Sequence, residues 1–262
     1  MVDGWIAEAA KESNIVDEKP IKIDVKALFE PIEKTAEKRG LKLGVYGEPS
    51  SGKTHFALTA PEPIYILDTE AGVSPLKSSF KGKKIFIMDV FQKGQNGERD
   101  EVECFEKIIQ AIDWIYENVK EGTVVIDSGT DLWKFAQTYG KVKLFNLKPR
   151  DRLKYRFDWG AITNAYEQRI ALLIHSPLNF IITGKIANKF DTAGQMTEEQ
   201  QGRWQKDTSY QLDVVLMNRK TVNKESNIKF ISEIDKCRMN VKLLNKEFTD
   251  LSFNKLTEEL KK

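Results

Sequence analysis

The chain has 262 residues, long enough for one sizeable α/β core that needs neither disulfides nor a structural metal. Its 41 basic and 39 acidic side chains nearly cancel at a net charge of +2, so the total does not mark a nucleic-acid binder and only local clustering can. Two cysteines, Cys104 and Cys237, with two histidines, His55 and His175, argue against a disulfide framework and a zinc site. No apolar run approaches the roughly 18 residues that span a bilayer, so a cytoplasmic protein without a membrane partner is expected.

Residues 1–40 are charged and weakly patterned, with a helix expected over Asp24 to Arg39 and interrupted near Pro31. They read as an N-terminal arm, a possible oligomerisation segment, in front of a core over residues 41–262. From Leu41 onward, short β-branched or aromatic runs alternate with amphipathic helices. Seven strands are expected, in "LKLGVYG", "PIYILDTE", "KIFIMDV", "TVVIDSG", "LNFIITGK", "QLDVVLMN" and "IKFISEID". Val102, Phe105, Ile109, Ile112, Ile115 and Val119 recur at helical spacing, as do Ile162, Tyr166, Ile170 and Leu173. Strands alternating with helices imply a mostly parallel twisted sheet flanked by helices. Residues 91–100 and the long polar run 187–209 read as irregular.

The first strand leads into Gly47, Glu48, Pro49, Ser50, Ser51, Gly52, Lys53 and Thr54, which fit G-x-x-x-x-G-K-[ST] between a strand and a helix. The glycines let the backbone wrap a phosphate with its N–H groups. Lys53 supplies a point charge for the β and γ phosphates, and Thr54 offers a hydroxyl to Mg²⁺. His55 closes the predicted nucleotide-binding set. ATP and Mg²⁺ are therefore the expected ligands. "TVVIDSG" delivers Asp127 to the carboxyl edge of the sheet, where an acid can hold Mg²⁺ through water. Hydrolysis also needs a group that orients or deprotonates water. Ser128 beside Asp127 cannot serve, so Glu70, at the end of "IYILDTE", is the candidate; the alternative is that Asp68 and Glu70 merely cap a strand or turn.

The set "GEPSSGKT", "YILDTEAG", "VVIDSGTDLW" and "FIITGK" resembles the RecA-like P-loop ATPase core, shared by RecA and RadA recombinases, DnaB-type helicases and small phage and archaeal-virus ATPases. The last group, which includes single-strand annealing proteins, is the most similar in layout. The resemblance covers about residues 41–240 and implies the RecA-like fold, with Glu70 of the D-x-E element as the catalytic glutamate. Recombinases carry a polar amide where this chain has Gly184 and Lys185, so Lys185 becomes the expected γ-phosphate sensor, a solvated lysine being the alternative, and full strand exchange is not expected. "EIDKCRMN" is similar to the K-x-R element of DnaB-type hexamers, which implies that Lys236 and Arg238 reach a neighbouring subunit's γ-phosphate and that the chain forms a hexamer or filament; a solvated strand edge is the alternative. If the protein is viral, its location is the host cytoplasm.

Residues 141–157 interleave Lys148, Arg150, Arg152, Lys154 and Arg156 with Tyr155 and Phe157, the chemistry of a single-strand groove. In RecA-like proteins this segment and residues 187–209 would face DNA, and the second adds Arg203 and Lys206; a solvated basic face is the alternative. Trp204, between those two cations, is the tryptophan expected to touch nucleic acid or a neighbour. Three roles follow: an ATPase acting on single-stranded DNA in recombination, annealing or replication; a DnaB-like helicase motor; or a nucleotide-switched scaffold with little turnover.

Overall fold

The structure, a computed structural model, describes residues 29, 31, 32 and 39–262, except 96, 156, 192 and 223–226. The expected arm therefore lies almost wholly outside the described residues, as does Arg156. Arg39–Lys262 forms one unit.

That unit is built on nine strands: β1 (Lys42–Gly47), β2 (Ile64–Asp68), β3 (Ile85–Asp89), β4 (Thr123–Asp127), β5 (Asn179–Phe190), β6 (Met196–Gly202), β7 (Val214–Val222), β8 (Ile228–Cys237) and β9 (Glu247–Thr249). The helices are α1 (Lys53–Leu58), α2 (Glu101–Asn118), α3 (Gly129–Tyr139), α4 (Asp158–His175), α5 (Thr208–Gln211) and α6 (Phe253–Leu260). Across the sheet the order is β3-β2-β4-β5-β1-β7-β8-β9, with β6 paired to β5. The strands from β3 to β7 along this path run parallel, and β8 and β9 run antiparallel at the far side. This mostly parallel sheet with helices on both faces is the RecA-like P-loop fold, and all seven expected strands are present.

Alternation along the strands sorts the core into two layers, because successive side chains point to opposite faces. Leu43, Val45, Ile64, Ile66, Val125 and Ile181 pack with α1 and α6. Tyr46, Leu67, Val124, Ile126, Phe180 and Ile182 pack with α2, α3 and α4. Helix α2 begins where the Asp100 carboxylate accepts from the amides of Val102 and Glu103, and it buries Phe105, Ile108 and Ile112 at helical spacing. Each such side chain contributes about 1.5–3 kcal/mol relative to exposure.

The expectation of an irregular run over residues 187–209 is corrected. Strand β5 continues to Phe190, turns, and returns as β6, pairing Ile186 with Gly202 and Ala187 with Gln201. The Asp191 side chain accepts from the amides of Ala193 and Gln195, and Gly194 takes φ 80°, so the five residues 191–195 reverse the chain. Nearly all of "MTEEQQG" faces water on both sides, which removes the apolar alternation that marks a strand. Strand β9 has three residues, too few for an alternation to mark it in the sequence.

Lys42, at the start of β1, is fully buried, and its ammonium donates to the carbonyl oxygens of Leu173, Ser176 and Leu178. These carbonyls end α4 and lead into β5. Burial is the main reason its pKa falls to about 8, assisted by Arg39 and opposed by Asp213.

Candidate nucleotide site

Strand β1 is buried along its whole length and delivers Gly47 to the carboxyl edge of the sheet. A side-chain carbon on Gly47 would stand 2.0 Å from the Asn218 carbonyl oxygen of β7, so only glycine lets the loop leave the sheet here. Gly52 takes φ 83° as the residue that starts α1, a conformation L side chains disfavour. Lys53 folds over the loop, its Nζ donating to the Gly47 carbonyl at 3.1 Å and the Glu48 carbonyl at 2.7 Å. Burial lowers its pKa, against the pull of Asp127 and Glu70. Within the loop the Ser51 hydroxyl is buried and makes no hydrogen bond. His55 is exposed and lies against Phe80, with ring centroids 4.9 Å apart.

Asp127 ends β4 almost fully buried, at 4% exposure. Its carboxylate accepts from the Thr54 hydroxyl at 2.6 Å and from the Thr183 hydroxyl at the end of the β5 core run. Burial raises its pKa; the two hydroxyls oppose the rise, and Glu70 and Asp68 add to it. The donor set fits a hydrated Mg²⁺. Thr54 and Asp127 provide one hydroxyl and one carboxylate, and Mg²⁺ takes most of its remaining ligands from water and phosphate. Among the described residues no group of three His, Cys, Asp or Glu side chains gathers into an all-protein metal cage.

The two acids of the D-x-E element divide their roles. Asp68 is the cap: its carboxylate accepts from the amides of Glu70, Gly72 and Val73 at 3.1–3.2 Å. Glu70 points elsewhere, accepting from the Ser128 hydroxyl at 2.9 Å and pairing with Lys185 Nζ at 3.0 Å. Lys185 also lies 3.4 Å from Asp131, whose other oxygen lies 3.4 Å from Arg99. Burial lowers the Lys185 pKa, but Glu70 and Asp131 outweigh it and raise the pKa above its ordinary value. Thr183, Asp131 and Arg99 have no place in the sequence reading. Asp131 had a readable signal, four residues after Asp127 on the first turn of α3, whereas Arg99 sits in a loop that carries no motif.

Lys236 and Arg238 lie away from this chain's own loop. Gly47 registers with Asn218 and Asn218 with Ser232, while Lys236 registers with Val215 and Cys237 with Val214, near the start of β7. Four strand residues separate the two levels, roughly 13 Å at ~3.3 Å per residue. Lys236 donates to the carbonyls of Ser209, Tyr210 and Leu212, and Arg238 to that of Tyr210.

Lys148, Arg150, Arg152 and Lys154 are exposed in the segment between α3 and α4. Tyr155 and Phe157 stack with centroids 5.1 Å apart and planes 5° apart, and Phe157 is 75% exposed. Lys154 Nζ stands 5.0 Å from the Tyr155 ring. Arg203 and Lys206 are exposed, beyond β6. The Trp204 expectation is corrected: the ring is 7% exposed, donates its Nε1–H to Ser209, and packs edge-on to Tyr46. Gly44, Gly184 and Gly202 make its slot, since a side-chain carbon on any of them would come within 3.0 Å of the indole or, at Gly44, of Leu212 as well.

No curated protein matches the sequence. Among solved structures the chain is similar to one described as a prototypical ATPase from the type III secretion system of pathogenic bacteria, at 13% identity and a TM-score of 0.44. The match covers 71% of this chain and 53% of that one, so this chain spans about half of that structure's length. Among the described residues no helix is long and apolar enough to cross a membrane. The model of the AAA domain matches residues 39–247, from just before β1 to the start of β9. The phosphate loop, the buried aspartate and the strands that carry them all fall inside that match, and the chain belongs to the AAA-domain family of P-loop ATPases.

Proposed function

We propose that the protein is a Mg²⁺-dependent, RecA-like ATPase that acts on single-stranded DNA in recombination, annealing or replication and works as a ring or filament. One observation carries the hydrolytic part: Thr54 and Asp127 meet at 2.6 Å, with Glu70 at the same sheet edge and its carboxylate off the backbone. Bound Mg²⁺ would neutralise charge on the β and γ phosphates. The loop amides and Lys53 hold the triphosphate, and Thr54 and Asp127 hold the metal. Glu70 orients a water and takes its proton as that oxygen bonds to the γ-phosphorus and the bond to the β-phosphate oxygen breaks. Lys185, beside Glu70, serves as the sensor of the reacting phosphate.

The partner reading rests on the exposed Tyr155–Phe157 stack among Lys148, Arg150, Arg152 and Lys154, because bases stack on aromatic faces while cations follow the backbone. Lys236 and Arg238 lie too far from their own loop to serve it, so a role at phosphate requires another subunit's site. The test is ATP hydrolysis with and without single-stranded DNA, for wild type and Lys53→Ala. The expected result is DNA-stimulated turnover that Lys53→Ala abolishes; turnover indifferent to every nucleic acid would sink the DNA assignment.

A further inference from the structure

We infer that Phe230 forms the base-binding platform of the nucleotide site and that this ring sets the preference of the site for a purine over a pyrimidine base. The inference rests on the phosphate loop holding a nucleotide, as proposed above. On one side of β1 lie β5 and β4, which carry Thr183 and Asp127, with Glu70 following β2 beyond them. The metal-binding carboxylate and the proposed base of hydrolysis are therefore both on that side, and the reacting phosphate belongs there. On the other side lie β7 and β8. A nucleotide with its γ-phosphate toward Asp127 sends its nucleoside end toward β8, two strand spacings or about 10 Å from β1.

Phe230 stands at that place. Its ring atoms lie 3.3–3.8 Å from where a side-chain carbon on Gly52 would be, in contact range of the turn that starts α1. The ring is 40% exposed, and no other aromatic ring among the described residues stacks on it. Its backbone is fixed before any ligand arrives. Asp250 N donates to the Phe230 carbonyl at 2.9 Å, the Asp250 carboxylate accepts from Phe230 N at 3.4 Å, and Phe230 registers with Lys220 of β7. An apolar side chain held at the rim of a phosphate loop and partly open to water loses little order on binding a flat base. Purines offer the larger face, so they gain more than pyrimidines.

Calorimetric titration of the full chain tests this with three ligands, ATP, CTP and inorganic tripolyphosphate, against wild type, Phe230→Leu, Phe230→Ala and Lys53→Ala. Leucine keeps an apolar side chain against Gly52 and removes the ring. We expect Phe230→Leu and Phe230→Ala to weaken ATP about five- to a hundredfold, to weaken CTP less, and to leave tripolyphosphate unchanged. Wild-type ATP affinity in Phe230→Leu, or an equal loss for ATP and tripolyphosphate, overturns the platform, the second outcome making Phe230 only a support of the loop. Lys53→Ala reports on the underlying site separately: if it leaves the affinities for all three ligands unaffected, the phosphate-loop reading fails whatever Phe230 does.

Discussion

Asp127 is a carboxylate nearly cut off from water that accepts from two hydroxyls, with the Lys53 ammonium near enough to feel its charge. Burial raises its pKa, so the native state binds its proton more tightly than the unfolded chain, and stability falls as pH rises through that window. Asp127→Asn keeps the shape and removes the charge. It should stabilise the free protein by about 0.5–2 kcal/mol at neutral pH, with hydrolysis lost. The advantage should be present above the native pKa and shrink as acid protonates the wild-type carboxylate, which denaturant melts at pH 4 and pH 7 would show. A variant less stable than wild type at both would mean that the hydroxyls more than offset the burial. Glu70 is the complementary case, half-exposed and paired with Lys185. Glu70→Gln still accepts from Ser128, so nucleotide affinity should hold while turnover drops about 10²–10⁴-fold; an unchanged rate removes Glu70 from the chemistry. Both acids were legible because strand ends and a phosphate loop place them at one sheet edge. Thr183 and Arg99 were not, because their importance comes from which chain segments meet and not from spacing along any one of them.

At the scale of elements, hydrophobic period was a good guide where one face of a segment is buried and a poor one where neither is. Helix α4 and the strands β1 and β4 could be read residue by residue, since burial writes itself into their sequences; in α2 Phe105, Ile112 and Ile115 are buried as expected, but Ile108 and Cys104 are buried where Ile109 and Val102 were expected. The β5–β6 hairpin could not, because its pairing is held by backbone hydrogen bonds and an aspartate turn while its side chains face water. The same limit touched Trp204, whose polar neighbours in sequence hid the three glycines that bury it. The segment between α3 and α4 is legible in the opposite sense: Lys148, Arg150, Arg152, Lys154, Tyr155 and Phe157 are exposed as its composition implies. Two kinds of variant should separate its roles. Arg150, Arg152 and Lys154 replaced together by alanine should weaken single-stranded DNA binding and flatten its salt dependence by ~0.7 in log–log slope for each lost phosphate contact. Tyr155→Ala with Phe157→Ala should weaken binding by about 1–3 kcal/mol per stacked base with the slope retained. Fluorescence anisotropy at several salt concentrations reads both, and a basic-residue triple variant with unaltered affinity and slope would reduce the segment to solvated surface.

Over the whole molecule the strand that ends in the phosphate loop must be anchored at its other end, and Lys42 does this from inside the protein. Its ammonium joins β1 to the carbonyls that end α4 and lead into β5, while its amide donates to Asp213 at 3.0 Å, itself paired with Arg39. Buried carbonyls left without a donor are costly, so Lys42→Met should destabilise the fold by about 2–4 kcal/mol although the residue is remote from the loop along β1. The pH dependence distinguishes this anchor from ordinary packing. Burial lowers the native pKa to about 8 from 10.5, so between those values the unfolded chain holds more protons than the native state. Stability then rises with pH, by ~2 kcal/mol between pH 8 and 9.5 from this group alone. The methionine variant lacks the group, so its deficit relative to wild type should widen over that interval, whereas the tyrosines, present in both proteins, cancel in the difference. Urea unfolding of the two proteins at pH 7, 8, 9 and 9.5 measures it. A gap that stays constant across the series would mean that the three carbonyls hold the ammonium as well as water does, and that β1 is anchored at no electrostatic cost.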